Sequence, residues 1–248
     1  MSIDSLADNW DMVVVGGGIT GAGIFREAVR MGLKTLLLEQ RDFAWGTSGR
    51  SSKMVHGGLR YLKQGKLLLT RNSVMERQRL VKEAPGLVEP LEFLTPVYKN
   101  QSPGCLMMGA GLTIYSALAG SFQYKYYPKN AFLKRVPSMR SENLTGGYGF
   151  WDAGVDDARL VLRLIKDGQA SGGTALNYTK VNEVLRNPEN IIENREKDIE
   201  NSEIIIKKPE SMFKLEKKIE NKGFVSGVLI QDFFTKKTKI VQTPVVIN

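Results

Sequence analysis

Three glycines near the N terminus have the spacing of a pyrophosphate-binding turn. Gly16, Gly18 and Gly21 form the pattern G-x-G-x-x-G after an apolar run, and Glu39 follows 18 residues after the third glycine. The first glycine permits a tight turn, the second lets a pyrophosphate approach the backbone, and the third lets a helix pack on a strand. A carboxylate at this distance can accept hydrogen bonds from a ribose, and its charge disfavours the 2′-phosphate of NADP. The pattern predicts a dinucleotide site, with glycines that only serve a tight turn as the alternative.

A second stretch with little side-chain bulk runs from Gly46 to Gly58. Its small and polar residues leave a backbone that can approach a ligand closely. An NAD dehydrogenase does not need such a stretch, whereas a flavin enzyme must surround both the pyrophosphate and the isoalloxazine. We therefore expect FAD rather than NAD, the alternative being a mobile surface loop.

The glycine turn requires a strand before it and a helix after it, and the sequence supplies both. Asp11 to Val15 predict a short buried strand, a helix then runs to Met31 and stops at Gly32, and Leu33 to Leu38 predict a second strand. A strand, turn, helix and strand within about thirty residues make one right-handed parallel crossover. The expected fold class is α/β, with a parallel sheet covered by helices.

The rest of the chain alternates between helical and extended patterns. A basic helix is predicted from Leu67 to Ala84. The predicted elements after it are a helix capped by Asp156-Asp157 that runs to about Ala170, a strand from Ala175 to Val184, a hairpin between Gly223 and Val241, and a buried strand from Pro244 to Asn248. Residues 186–222 are dominated by Glu, Lys and Asn, which predicts a solvated insertion or a long hairpin.

The composition excludes several classes of protein. The 248 residues include 42% hydrophobic and 25% charged residues, which is typical of a globular protein rather than a disordered or fibrous one. One cysteine and one histidine exclude a disulfide framework and a Cys/His zinc site, so no metal is expected. The net charge of +9 favours anionic partners, but no recognition motif for nucleic acid accompanies it. The first ten residues lack the features of a signal peptide, so a cytoplasmic location is expected.

An uncharged segment lies between Lys99 and Lys125, and its centre, Cys105 to Ala119, is apolar. These 15 residues are fewer than the roughly 20 that span a bilayer. A buried core helix is the first expectation, with a helix lying in the membrane interface and a true span as alternatives. The basic stretch from Lys63 to Lys82 offers a similar choice between a solvated face and a surface that docks on anionic lipid.

Three stretches together resemble a known enzyme family. They are Val13 to Glu39, the string from Gly46 to Leu62 that ends in His-Gly-Gly-Leu-Arg-Tyr-Leu, and Val155 to Val161. They resemble the FAD-dependent glycerol-3-phosphate dehydrogenases of the D-amino-acid-oxidase-like flavoprotein superfamily. The resemblance runs from about residue 11 to about residue 184 and resumes at residues 243–248.

The resemblance implies a Rossmann-like FAD-binding domain with a parallel central sheet and the beginning of an α+β substrate domain. The FAD-binding domain is expected in two parts, residues 1–95 and 151–185. The regions expected around them are part of the substrate region at 96–150, the charged insertion at 186–222, and a hairpin with a returning strand at 223–248. The implied reaction moves a hydride from C2 of sn-glycerol 3-phosphate to flavin N5, yields dihydroxyacetone phosphate, and passes electrons to quinone or another acceptor.

The resemblance also assigns residues to the site. Arg60 matches an arginine of the substrate pocket, where a guanidinium fork suits a phosphate. The residues expected at the cofactor are Gly16, Gly18, Ile19, Thr20, Gly21, Glu39, Gln40, Arg41, Thr47, Ser48, Ser51, Ser52, Lys53, Gly57, Gly58, Leu59 and Val181.

His56, the only histidine, has two interpretations. In one, it faces the flavin and either positions the substrate or shuttles the proton that alcohol oxidation releases. In the other, it fixes its loop by a hydrogen bond. Asp156, Asp157 and Arg159 are expected to form a helix cap and an ion pair rather than part of the active site.

The resemblance covers the N-terminal half of the family's pattern, so this chain alone is expected to be weakly active or inactive. The alternatives are another amine or hydroxy-acid oxidase of the same superfamily, and a nonenzymatic FAD-binding or membrane-docking fragment. An anionic membrane surface, on the inner face of the cell membrane, is a further expected partner, and a homo-oligomer is left open.

Overall fold

The computed structural model describes residues 2–187 and 224–248. Two compact units divide the chain: one comprises Met1–Arg50 with Val161–Asn248, and the other comprises Ser51–Leu160. The predicted charged insertion lies outside the described residues from residue 188 onward. The predicted boundaries of the FAD-binding and substrate domains concern function rather than compactness, and they stay predictions.

The described residues form helices and strands in both compact units. In chain order they are β1 (Met12–Val15), α1 (Ile19–Arg30), β2 (Thr35–Leu38), β3 (Met54–Val55), α2 (Leu59–Lys63), α3 (Leu67–Glu83), β4 (Val88–Tyr98), α4 (Cys105–Ala119), β5 (Tyr124–Pro128), α5 (Lys129–Arg135), β6 (Leu144–Val155), α6 (Asp157–Ala170), β7 (Thr174–Leu176), β8 (Thr179–Asn187), β9 (Phe224–Asp232), β10 (Thr238–Gln242) and β11 (Val246–Ile247). The predicted basic helix and the predicted helix after Asp156-Asp157 are confirmed as α3 and α6.

A four-stranded parallel sheet forms the centre of the first unit, in the order β11-β1-β2-β7. Val13 pairs with Leu36 on one side and with Val246 on the other. Val13 and Leu36 to Leu38 are fully buried, because both faces of a parallel sheet are covered. The predicted α/β fold and the return of the last strand to the sheet are confirmed. The prediction that the strand from Pro244 to Asn248 is buried is wrong, because β11 comprises only Val246–Ile247 and both residues are half-buried.

An antiparallel sheet in the order β10-β9-β8 completes the first unit, and β9 and β10 form the predicted hairpin. The single strand predicted from Ala175 to Val184 is wrong, because the chain bends after β7 and enters the second sheet as β8. Tyr178 lies at this bend in the left-handed conformation, with φ at 53°. Its N–H donates to the carbonyl of Arg41 at 2.9 Å, which holds the bend in place.

The second unit is built on an antiparallel sheet in which β6 lies between β3 and β4 and also pairs with β5. Val97, Leu112 and Tyr148 form a buried cluster that joins β4, α4 and β6. A second cluster of Ala84, Ala153 and neighbouring apolar residues packs the end of α3 on the same sheet. The unit is therefore an α+β arrangement.

Helix α4 covers the apolar segment that the sequence predicted as a core helix. Leu112 and Tyr115 are buried, but Leu106 and Met107 are 91% and 64% exposed. The prediction of a buried core helix is correct for one face of α4 and wrong for the other. In the described parts of the chain, every helix is too short or too polar to traverse a bilayer.

Candidate functional site

The turn between β1 and α1 is so tight that glycine is required at two of its positions. Gly16 has a φ of +107°, which residues with a side chain rarely adopt. A Cβ on Gly21 would lie 1.9 Å from the carbonyl oxygen of Gly16. Gly21 therefore lets α1 begin directly against the end of β1.

A cavity of about 220 Å³ opens at the carboxyl ends of β1 and β11. Six of the predicted cofactor residues line it: Gly16, Gly18, Ile19, Thr20, Gly21 and Ser48. Because α1 begins in this lining, the positive end of its dipole is available to an anion. The structure thus brings these six residues together at one place.

Ser48 joins the second Gly/Ser-rich stretch to the glycine turn. Its Oγ accepts a hydrogen bond from the N–H of Ile19 at 2.9 Å. A Cβ on Gly18 would lie only 3.1 Å from this oxygen, so the missing side chain lets the two segments meet. Ser48 thereby caps the first turn of α1, which Gly18 at the N-cap cannot do itself.

The Glu39 carboxylate fixes the backbone around the turn. Its Oε2 accepts a hydrogen bond from the N–H of Gly17 at 2.7 Å, and its Oε1 accepts one from the N–H of Arg41 at 2.8 Å. Each oxygen keeps a further lone pair, so the carboxylate can still accept hydrogen bonds from a ribose. Gly17 was not predicted as a site residue, although a Cβ there would lie 2.6 Å from the Phe43 ring.

The other predicted cofactor residues of the first unit lie on its surface or in its second sheet. Gln40 and Thr47 are exposed. The guanidinium of Arg41 stacks on the Trp45 ring, 3.9 Å from its centroid. Val181 is half-buried in β8. Their contacts with a cofactor stay predictions.

A larger cavity, of about 490 Å³, lies in the second unit. Both predicted catalytic residues, His56 and Arg60, line it, together with Ser52, Leu59, Tyr61 and Asp152. The His56 and Tyr61 rings meet edge to face, with centroids 6.2 Å apart. An exposed imidazole and an exposed guanidinium on one cavity can hold an anion and exchange a proton with it.

Two buried glycines shape the loop that carries His56 and Arg60. Gly58 has a φ of +80° and precedes α2, on which Arg60 lies. A Cβ on Gly57 would lie 2.1 Å from the hydroxyl oxygen of Tyr115. Side chains at either position would displace the loop, and the predicted contact of Gly57 and Gly58 with flavin stays a prediction.

Asp157, at the start of α6, accepts a hydrogen bond from the backbone of the Gly/Ser-rich stretch that runs from Gly46 to Gly58. Its Oδ2 accepts hydrogen bonds from the N–H of Ser51 at 3.2 Å and from its hydroxyl at 2.8 Å, and its Oδ1 pairs with Lys53 Nζ at 2.9 Å. The hydrogen bond from Lys53, and then that from Ser51, hold the pKa of the Asp157 carboxyl well below its ordinary value. The side chains of Ser51 and Lys53 are thus directed at Asp157, whereas Ser52 lines the cavity.

Asp156 and Arg159 form the cap and ion pair that the sequence predicted. The Asp156 carboxylate accepts a hydrogen bond from the N–H of Arg159 at 3.3 Å. It also pairs with Arg159 Nε at 3.3 Å. Both contacts confirm a structural role at the start of α6.

A buried polar cluster in the second unit was missed by the sequence analysis. Asp152, Arg77 and Tyr115 are 7%, 8% and 3% exposed. Arg77 follows Thr70 and Val74 on the buried face of α3, so the expectation of a solvated basic face is wrong at Arg77. Burial, and the charge of Asp152 beside it, raise the pKa of the Tyr115 hydroxyl, which therefore remains a proton donor.

Comparison with known proteins reveals similarity to flavoenzymes. A family model described as FAD dependent oxidoreductase matches residues 11–206. The aerobic glycerol-3-phosphate dehydrogenase of Staphylococcus haemolyticus is 38% identical over 181 residues, which cover 72% of this chain and 32% of that protein. The enzyme of the same name from Staphylococcus aureus is 40% identical over 176 residues, which cover 70% of this chain and 32% of that protein.

A solved structure adds to these similarities. The glycerol-3-phosphate dehydrogenase from Bacillus halodurans, complexed with FAD, matches 96% of this chain with a TM-score of 0.61 and 28% sequence identity. The match covers 33% of that structure. The matched part of this chain thus spans about a third of the length of these relatives.

Proposed function

Because the chain belongs to the FAD dependent oxidoreductase family, we propose that it binds FAD and takes part in the oxidation of sn-glycerol 3-phosphate to dihydroxyacetone phosphate. The names of its relatives support this substrate. The observation that carries the proposal is the cavity of the second unit, in which His56 and Arg60 lie together. An anionic alcohol requires both a cation for its phosphate and a group that accepts its hydroxyl proton.

The glycine turn of the first unit fits the pyrophosphate of FAD. A Cβ built on Gly16 meets no atom within 4 Å, so the backbone there faces open space. We assign the pyrophosphate to the backbone of Gly16 and Gly18 and to the start of α1, where helix N–H groups favour an anion. The ribose is assigned to the lone pairs that Glu39 keeps free. When bound, FAD supplies the acceptor for a hydride.

The second unit supplies the groups that hold the substrate. Arg60 binds the phosphate, because a guanidinium fork can donate two parallel hydrogen bonds to its oxygens. His56 accepts the proton of the C2 hydroxyl at an imidazole nitrogen while the C2 hydride leaves, so that the C–H and O–H bonds are replaced by a carbonyl. The net charge of +9 favours the approach of this anionic substrate.

Anaerobic mixing of the FAD-loaded protein with sn-glycerol 3-phosphate tests the proposal. We expect the visible flavin band to bleach with this substrate but not with glycerol, which lacks the phosphate, or with the enantiomer sn-glycerol 1-phosphate. A protein that retains no flavin after incubation with FAD would contradict the proposal. Bleaching by amino acids or hydroxy acids, but not by sn-glycerol 3-phosphate, would contradict it as well.

We extend the proposal to a peripheral position on an anionic membrane, where electrons pass to quinone or another acceptor. The exposed apolar residues Leu68, Leu106 and Met107, and the basic residue Arg71 near Leu68, support it. Sedimentation with vesicles provides the test. Binding to anionic but not zwitterionic vesicles, reversed by high salt, is expected, whereas protein that stays in the supernatant with both would contradict this extension.

A further inference from the structure

Three side chains meet behind the loop that carries His56 and Arg60. Asp152 lies on β6, Arg77 on α3 and Tyr115 on α4, so the cluster joins three elements of the second unit. Each side chain is buried, and the described residues leave no buried side-chain nitrogen or oxygen without a partner. A buried charge is tolerated only when it is paired and hydrogen-bonded, and this cluster meets that condition.

One oxygen of Asp152 is the centre of the cluster. Its Oδ1 accepts hydrogen bonds from Arg77 Nη1 at 2.5 Å, from the Tyr115 hydroxyl at 2.8 Å and from the backbone N–H of Gly57 at 3.0 Å. Arg77 Nη1 also donates to the backbone carbonyl of Trp151 at 3.0 Å. The carboxylate is therefore paired with one guanidinium, and three hydrogen bonds hold its Oδ1.

The bond from Gly57 connects this cluster to the cavity. Gly57 follows His56 directly and precedes Arg60 by three residues. Its backbone is pressed against Tyr115, because a Cβ on Gly57 would lie 2.1 Å from the Tyr115 hydroxyl oxygen. Asp152 itself lines the cavity with His56 and Arg60. A change in the position of Asp152 must therefore move the backbone between the two candidate catalytic residues.

We propose that Asp152 is a positioning residue, which acts through the N–H of Gly57 to set the places of His56 and Arg60 in the cavity. Arg77 supports this positioning, because its guanidinium pairs with the same Asp152 oxygen that accepts the hydrogen bond from the N–H of Gly57. The inference rests on the proposed function for its substrate. Substitution of groups that orient the ligands of a metal site from behind typically costs about 10- to 100-fold in affinity or activity, and functional sites in general depend on such support.

The test uses the fact that His56 is the only histidine. Protein labelled with ¹³C and ¹⁵N in histidine gives a single imidazole Cε1–H signal, which reports the position of His56 beside the Tyr61 ring and requires neither FAD nor substrate. Asp152→Asn keeps the size of the side chain and removes its charge, so we expect the His56 signal to shift. Asp167→Asn is the matched control. Asp167 lies on α6 and pairs with Arg26 of α1 and Arg163 of α6, so the spectrum of this variant should equal that of the original protein.

A second measurement connects the loop to the substrate. In FAD-loaded protein, the concentration of sn-glycerol 3-phosphate that half-saturates flavin reduction should rise about tenfold or more in Asp152→Asn, the equivalent of one charge-assisted hydrogen bond. FAD retention should stay unchanged, because the glycine turn belongs to the other compact unit. Arg77→Lys, which keeps the charge, should change half-saturation less than Arg77→Gln. The double variant Asp152→Asn/Arg77→Gln should recover part of the loss, because neither buried charge is then unpaired.

The inference would be overturned if Asp152→Asn lowered the melting temperature but left the His56 signal and the half-saturating concentration equal to those of Asp167→Asn. The role of Asp152 would then be structural only. Tyr115→Phe provides a milder variant, since it removes one donor to Asp152 and keeps the ring. It should shift the His56 signal less and in the same direction, and an unshifted signal would count against the inference. A shifted signal in a protein whose flavin never responds to sn-glycerol 3-phosphate would contradict the proposed function instead.

Discussion

Replacing Gly21 with alanine should weaken FAD binding strongly while the protein stays folded. The new Cβ would lie 1.9 Å from the Gly16 carbonyl oxygen, which is backbone and cannot rotate away. Extra methylenes in a packed site cost about 1–3 kcal/mol. A cost of this size at the pyrophosphate turn corresponds to a loss of roughly 5- to 150-fold in affinity, since about 1.4 kcal/mol is a factor of ten.

Gly23→Ala is the matched control in the same helix. A Cβ on Gly23 meets no atom within 4 Å, and alanine favours a helix over glycine by up to about 1 kcal/mol. Gly23→Ala should therefore bind FAD like the original protein and melt at an equal or higher temperature. Affinity is measured by titration with FAD fluorescence, and folding by circular dichroism. Gly21→Ala that is folded and binds FAD as tightly as Gly23→Ala would refute the assignment of the glycine turn.

Three further substitutions test other parts of the site. Arg60→Lys keeps the charge but loses the guanidinium fork, so the half-saturating concentration of sn-glycerol 3-phosphate should rise about tenfold. Arg60→Gln should raise this concentration further. Equal concentrations for the three proteins in a stopped-flow assay would argue against phosphate binding at Arg60. Glu39→Gln places an amide NH₂ against the N–H of Gly17 or Arg41. Less FAD should therefore remain bound to this variant after gel filtration. Unchanged FAD retention would contradict the role of Glu39 at the cofactor. The lowered pKa of Asp157 means that its carboxylate stabilises the fold at neutral pH and that this stabilisation is lost as acid protonates it. The difference in melting temperature between the original protein and Asp157→Asn should therefore shrink as the pH falls, whereas a difference independent of pH would contradict the pairing.

Much of the first unit could be predicted because its signals are local. The apolar runs around Val13 and Leu36 to Leu38 predict strands buried on both faces, and the spacing of Gly16, Gly18 and Gly21 predicts the turn between strand and helix. Ser48 lies within hydrogen-bonding distance of Ile19, so the two bare stretches meet at that point. Local patterns thus identified the glycine turn and also Ser48, the residue of the Gly/Ser-rich stretch that contacts this turn.

Contacts between distant side chains could not be predicted in this way. The Asp152 cluster depends on residues 37 and 75 positions away in the chain, and the sequence contains no pattern that pairs them. Arg77 lies at helical spacing from Thr70 and Val74 on the buried face of α3, but an arginine in a basic helix ordinarily faces solvent. The bend at Tyr178 depends on a hydrogen bond to the carbonyl of Arg41, and no glycine marks its left-handed conformation. These features depend on tertiary packing, which overrides local preference.

A crystal structure of the protein grown with FAD tests the cofactor site most directly. We expect the pyrophosphate oxygens to lie within hydrogen-bonding distance of backbone N–H groups between Gly16 and Gly21, with a ribose hydroxyl donating to the Glu39 carboxylate. Density for FAD at another surface, with the glycine turn empty, would contradict the assignment of this turn as the flavin site.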